Sequence, residues 1–120
     1  MKTVPNAAAA TIGQRKLVDY LLDGSHPDGA SKAAWFQRFG FARSAPDMLG
    51  AALGRHVRER SVEDRIETVN GVKWIVRCDL VTPDGRNPCI RSVWLDRGDG
   101  IPDLLTARPL SRREREASKG

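Results

Sequence analysis

Much of what usually announces a mechanism is missing from this chain. No run approaches the roughly eighteen apolar residues that a membrane span needs, and the opening MKTVPNAAAATIG has no apolar stretch of the kind that directs secretion. Both absences predict a cytoplasmic protein without a membrane partner. Cysteine is scarce: Cys78 and Cys89 are too few for a disulfide scaffold and lack metal-ligand spacing, so in that compartment they read as reduced thiols. There is no Walker loop, dinucleotide fingerprint, HExxH or CxxC. Nothing in the sequence calls for a metal or a cofactor.

What is present describes an ordinary folding chain. At 120 residues there is material for one core and too little for two. With 40% hydrophobic and 29% charged residues the chain is too apolar to be disordered. The net charge of +5 points to an anionic partner, RNA or an acidic protein. Part of that charge sits in the tail SRREREASKG, which reads as a solvated, flexible end over 111–120. Residues 1–10, with Pro5, Asn6 and an alanine run, read as a flexible leader, which leaves 11–110 as a single domain.

Within that domain the periodicity changes once. Thr11 is a credible N-cap for a helix from Ile12 to Leu22, with Leu17, Tyr20 and Leu21 at helical spacing. A loop over 25–30 leads to a second helix from about Ser31, in which Ala33 and Phe36 pack inward and Gly40 supplies a left-handed C-terminal residue. Pro46 opens a third helix that runs through Met48, Leu49, Leu53 and Val57 to about Arg60. Alternation follows. Strands are predicted over 64–69, 72–81, 88–96 and 104–108. They are joined by an Asn70-Gly71 type I′ turn, by a Pro83-Asp84-Gly85 turn and by the loop 97–102. The fold class is therefore α+β, with two to three helices covering one face of a four-stranded antiparallel meander.

The second turn also predicts which face is covered. If Thr82 pairs with Arg86, Trp74 lies opposite Trp94, Val76 opposite Ser92 and Cys78 opposite Ile90, an apolar row for the helices. The other row carries Lys73, Ile75, Arg77 and Asp79 against Arg91, Val93 and Leu95. Arg77 would sit directly across from Arg91, an arrangement that asks for an anion or a carboxylate between them. Such a basic face suits phosphate contact, although surface charges are most often only a solvated surface, here one neutralised by Asp79 and Glu67.

The residues able to do chemistry are a scatter of His, Lys, Arg and Thr. Metal-independent RNA cleavage needs a base for the 2′-hydroxyl, an acid for the leaving oxygen and cations for the phosphorane. His26, in a loop before a helix, has a side chain whose ordinary pKa suits proton transfer, and Lys32 lies on that helix's first turn. His56, between Arg55 and Arg58, reads instead as a partner of its helix C-terminus. Thr106 and Arg108 alternate onto one face of the last strand.

Two stretches, KLVDYLLDGSHPDGASKAAWFQRFGF and TPDGRNPCIRSVWLDRGDGIPDLLTARPL, resemble a bacterial family of small uncharacterised proteins. That family shares a KL-x-x-YLL helix, an HP-x-G-x-SKA-x-x-F segment and an ending with VW, a glycine-containing loop and P-x-L-x-TAYP. The resemblance covers roughly residues 16 to 110. Its domains occur alone and as toxin tails, and their order of elements looks like the fold of barnase, RelE and EndoU ribonucleases. The resemblance implies a metal-independent ribonuclease toxin neutralised by a small antitoxin or immunity protein. By position it assigns His26, Lys32, Arg91 and Thr106 to catalysis, with Lys73, Arg77 and Arg108 on the RNA. The family's tyrosine in TAYP is Arg108 here. A non-catalytic binding or immunity-type module, or a mobile-element accessory protein, fits the same charge without a site.

Overall fold

The computed structural model describes residues 2–13, 15, 17 and 30–110, with backbone alone for 30–32. Most of the helix expected from Ile12 to Leu22, the loop that carries His26 and the charged tail lie outside these residues.

A single 3-10 turn, Ala7–Ala9, precedes two helices, α1 (Ala30–Arg38) and α2 (Pro46–Glu59), and four strands: β1 (Val62–Thr68), β2 (Gly71–Asp79), β3 (Cys89–Asp96) and β4 (Asp103–Pro109). The strands form one antiparallel sheet in the order β1-β2-β3-β4. The protein is α+β, and its helices come before the strands, as the change of periodicity predicts.

Local chemistry explains where the helices stop and start. Helix α1 ends in a Schellman arrangement: the Phe41 amide donates to the Phe36 carbonyl at 3.4 Å and the Gly40 amide to the Gln37 carbonyl at 3.1 Å. Gly40 takes the left-handed conformation, with φ 101°, and the Phe36 and Phe41 rings meet edge-on at 6.2 Å. Helix α2 begins at Pro46, with Asp47 in its first turn. It buries Leu49, Leu53, His56 and Val57, one stripe at helical spacing.

Pairing between β2 and β3 follows the expected register. Trp74 faces Trp94, Val76 faces Ser92, Arg77 faces Arg91 and Cys78 faces Ile90. Trp94, Ile90, Val76 and Leu80 are fully buried and join Phe36, Leu49, Leu53 and Val57 in one core with Leu104 and Ala107 of β4. Trp74 is only half-buried, and the Arg65 guanidinium lies 5.5 Å above its ring.

Two expectations are corrected here. The β1–β2 loop consists of Val69 and Asn70, since Thr68 already pairs with Gly71. Neither loop residue has positive φ, so the turn is not type I′; Gly71 does, at 133°, within β2. A side chain at Gly71 would collide with the Asp96 carbonyl, so the glycine serves a close strand approach rather than the turn. Residues 2–10, expected to form a flexible leader, are anchored at a few points while most of their side chains stay exposed. Val4 is buried in the core, the Val62 amide donates to the Lys2 carbonyl at 2.8 Å, and Thr11 forms a parallel bridge with Asp103. The 3-10 turn buries none of its alanines, and only Ala7 and Ala10 of the run pack against the core.

Candidate functional site

Three arginines line up across the sheet on the face opposite the core row. Arg77 of β2 is the direct partner of Arg91 of β3, and Arg91 is the direct partner of Arg108 of β4. Neighbouring strands lie about 4.8 Å apart, so three guanidinium-bearing stems stand in one line perpendicular to the strands. Such a line of like charges requires compensating anions. Glu63 of β1 supplies one, its carboxylate 2.8 Å from Arg77 Nε in a pair of which each side chain is mostly covered.

Thr106 pairs with Val93, one row along from Arg91 and Arg108, and Lys73 lies further along the same face, opposite Ile66 and Leu95. All five of these polar residues are half-buried. The same face also holds Ile75 and Leu95, both nearly sealed from solvent. It also carries carboxylates, Asp64 opposite Ile75 and Asp103 opposite Leu95 besides Glu63, so its cations concentrate at the Arg77–Arg91–Arg108 end, where the composition suits phosphate contact.

Two residues of the predicted catalytic set are brought together on this face. Arg91 and Thr106 share it, together with Lys73, Arg77 and Arg108. Lys32 starts in α1, whose Phe36 belongs to the core on the other side of the sheet, so its helix lies in the opposite layer. His26 lies outside the described residues.

The other histidine departs from its expected role. His56 is 2% exposed and belongs to the apolar stripe of α2 rather than to the solvated helix end. Its Nε2 lies 2.8 Å from the Cys78 carbonyl, which can only accept, so Nε2 carries the proton. Its Nδ1, 3.0 Å from Ser92 Oγ, then accepts from the serine hydroxyl. Ser92 in turn accepts from the Trp94 indole N–H at 2.8 Å. Burial holds the imidazole down to about 4, against an ordinary 6.5, so it is neutral near pH 7 and brings no charge to the helix C-terminus. The i, i+4, i+7 spacing of Leu49, Leu53 and His56 is the sequence signal that identifies this position as internal.

The cysteines are not free thiols: Cys78 and Cys89 form a disulfide. In the pairing register Cys78 faces Ile90 and Asp79 faces Cys89, so regular alternation would send the two sulfurs to opposite faces. They meet because Cys78 leaves the extended conformation, with φ 124°. The bond lies one residue beyond Arg77 and two before Arg91.

Among the described residues there is no group of acidic, histidine or cysteine side chains placed to hold a metal. No helix there is long and apolar enough to cross a membrane.

Comparison with known proteins places the chain in a family. Residues 3–111 match the model of a domain of unknown function, DUF6883, and the chain belongs to that family. Among curated proteins none matches its sequence. Among solved structures it is similar to a chain of a contact-dependent growth inhibition toxin–immunity protein complex from Klebsiella pneumoniae 342. That likeness has a TM-score of 0.69 at 17% identity, over 88% of this chain and 97% of the other. At that identity the two share a fold.

Proposed function

We propose that this DUF6883 domain is a toxin-type RNA endonuclease whose arginine face binds the phosphate backbone and which cleaves by 2′-hydroxyl attack. The observation that carries this reading is the cross-strand row Arg77–Arg91–Arg108 with Thr106 beside it. In the proposed reaction Arg91 and its neighbours stabilise the extra negative charge of the phosphorane, and Thr106 donates a hydrogen bond to a phosphate oxygen. His26 exchanges the proton with the attacking or leaving oxygen, and Lys32 adds a second cation. Arg108 stands where the resembling family has tyrosine, so phosphate contact takes the place of an aromatic ring. Residues of these kinds suffice for such chemistry in principle. The fold shared with a chain of a toxin–immunity complex supports a partnership with a small protein that blocks this face.

A second reading is a non-catalytic, immunity-type binding module. The placement of α1 favours it, because Lys32 begins in the layer opposite Arg91 and Thr106. Induced expression separates the two readings. Growth arrest with fragmented RNA, abolished by His26→Ala and by Arg91→Ala, supports the nuclease. Harmless expression together with tight binding of a protein partner supports the module.

A further inference from the structure

We propose that the Cys78–Cys89 disulfide is a redox latch that sets the arginine row, so that reduction by a dithiol weakens anion binding on this face. The proposal rests on the polyanion-binding reading above and assigns that site its regulation.

Three observations carry it. The first is location: the bond crosslinks β2 and β3 where the ladder ends, immediately past the Arg77–Arg91 pair. The second is backbone conformation. Cys78 is held at φ 124°, a region that residues with a side chain rarely adopt and that the surrounding structure must enforce. Three nearby contacts help to hold it there. They run from His56 Nε2 to the Cys78 carbonyl, from Arg60 Nε to the Asp79 carbonyl at 2.9 Å, and from the Leu80 amide to the Pro88 carbonyl at 2.9 Å. The third is access, since Cys78 is exposed and Cys89 only half-covered.

A thiolate of the reductant attacks Cys78 Sγ, and Cys89 leaves as a thiolate and takes up a proton. The second thiol of the reductant then attacks its own sulfur in the mixed disulfide. Cys78 is released and protonated, and the reductant ends as a disulfide. Two electrons and two protons have passed to the protein. With the crosslink gone, Cys78 can return to extended geometry, which turns its carbonyl away from His56 and changes the direction in which Arg77, the preceding residue, is presented.

The test compares the oxidised chain, the chain reduced with dithiothreitol, and Cys89→Ser. Amide exchange at Asp79, Leu80, Ile90 and Arg91 is measured alongside fluorescence anisotropy with a labelled oligouridylate. Reduction is expected to speed exchange at these amides by at least about tenfold and to weaken binding by about five- to tenfold, roughly 1 kcal/mol or slightly more. Cys89→Ser should match the reduced chain and ignore the reductant. Unchanged exchange on reduction, or a peptide map without the crosslink, overturns the latch. Faster exchange with equal binding in both forms overturns its control of the site. Faster exchange with no binding in either form sinks the polyanion reading and leaves the latch as a conformational switch.

Discussion

Ser92 Oγ joins two layers of the protein: it accepts from the Trp94 indole on its own strand and donates to His56 Nδ1 on α2. Every donor in this chain of bonds, through to the Cys78 carbonyl, has an acceptor, and no buried side-chain nitrogen or oxygen among the described residues lacks a partner. Removing the middle of such a chain costs more than the bond itself, because two buried groups are stranded. Ser92→Ala should therefore destabilise the fold by about 2–4 kcal/mol. Urea unfolding measures this directly, and a loss well under 1 kcal/mol would show that the two groups find other partners.

Protonation of the same histidine should govern acid stability. In the unfolded chain His56 takes its proton near 6.5, whereas the folded chain holds it neutral down to about 4. Between those values the unfolded state binds more protons. The contribution is therefore whole above the upper value and is lost as pH falls toward the lower, by on the order of 3 kcal/mol. Unfolding free energies at the two ends of this window should differ by that amount more in the wild type than in His56→Gln, which has no titrating ring.

Gly71 and Gly98 provide a matched pair of backbone tests. Both have positive φ, at 133° and 105°, but an added Cβ meets the Asp96 backbone at Gly71 and open space at Gly98. Gly98→Ala should cost only the conformational penalty, about 1 kcal/mol. Gly71→Ala must also push two strands apart and should cost about 3 kcal/mol or more. Equal losses would place the strain in φ alone.

The disulfide should stabilise the fold as well as align it. With cysteines separated by 11 positions, closing the loop in the unfolded chain contributes about 3 kcal/mol by the chain-entropy estimate. Thermal unfolding with and without dithiothreitol checks this, with Cys89→Ser as the control that should not respond.

On the arginine face, Arg91→Ala should weaken RNA binding uniformly across sequences, because backbone contacts carry no base information. Loss of one phosphate contact on a single strand should flatten the salt dependence by about 0.7 in log–log slope. An unchanged slope would remove Arg91 from the interface.

These tests also mark how far the sequence could be read. The β2–β3 register follows from one turn: Gly85 adopts φ 78° after Pro83-Asp84, and the Gly85 amide bonds the Thr82 carbonyl at 3.1 Å. Side-chain period then puts Trp94 inside; Arg108 joins the row through the β3–β4 register, which has a bulge between Val93 and Trp94, and only the Arg77–Arg91 pair was legible from the turn. The disulfide was not. Alternation separates Cys78 from Cys89, and only a left-handed φ at a residue other than glycine, which no local signal marks, brings them together. His56 was overlooked for a different reason. Its place between Arg55 and Arg58 late in the helix suggested a partner of the helix C-terminus, whereas its spacing from Leu49 and Leu53 is that of the interior, and the spacing is what the fold obeys. Asn70-Gly71 shows the reverse case, in which a strong turn signal yields to the tertiary demand that Gly71 approach Asp96.

The anchoring of residues 2–11 has a consequence for how the chain is made. This segment touches both edges of the sheet, through Lys2 to Val62 of β1 and through Thr11 to Asp103 and Leu104 of β4. On a ribosome it emerges long before Leu104 exists, so its contacts with β4 must wait for almost the whole domain to be synthesised. Its docking is a long-range closure, the kind of contact that slows folding. Residues made early are thus among the last to find their place, and a bulky group attached beside Lys2 would interfere with that final closing step before it disturbed the rest of the sheet.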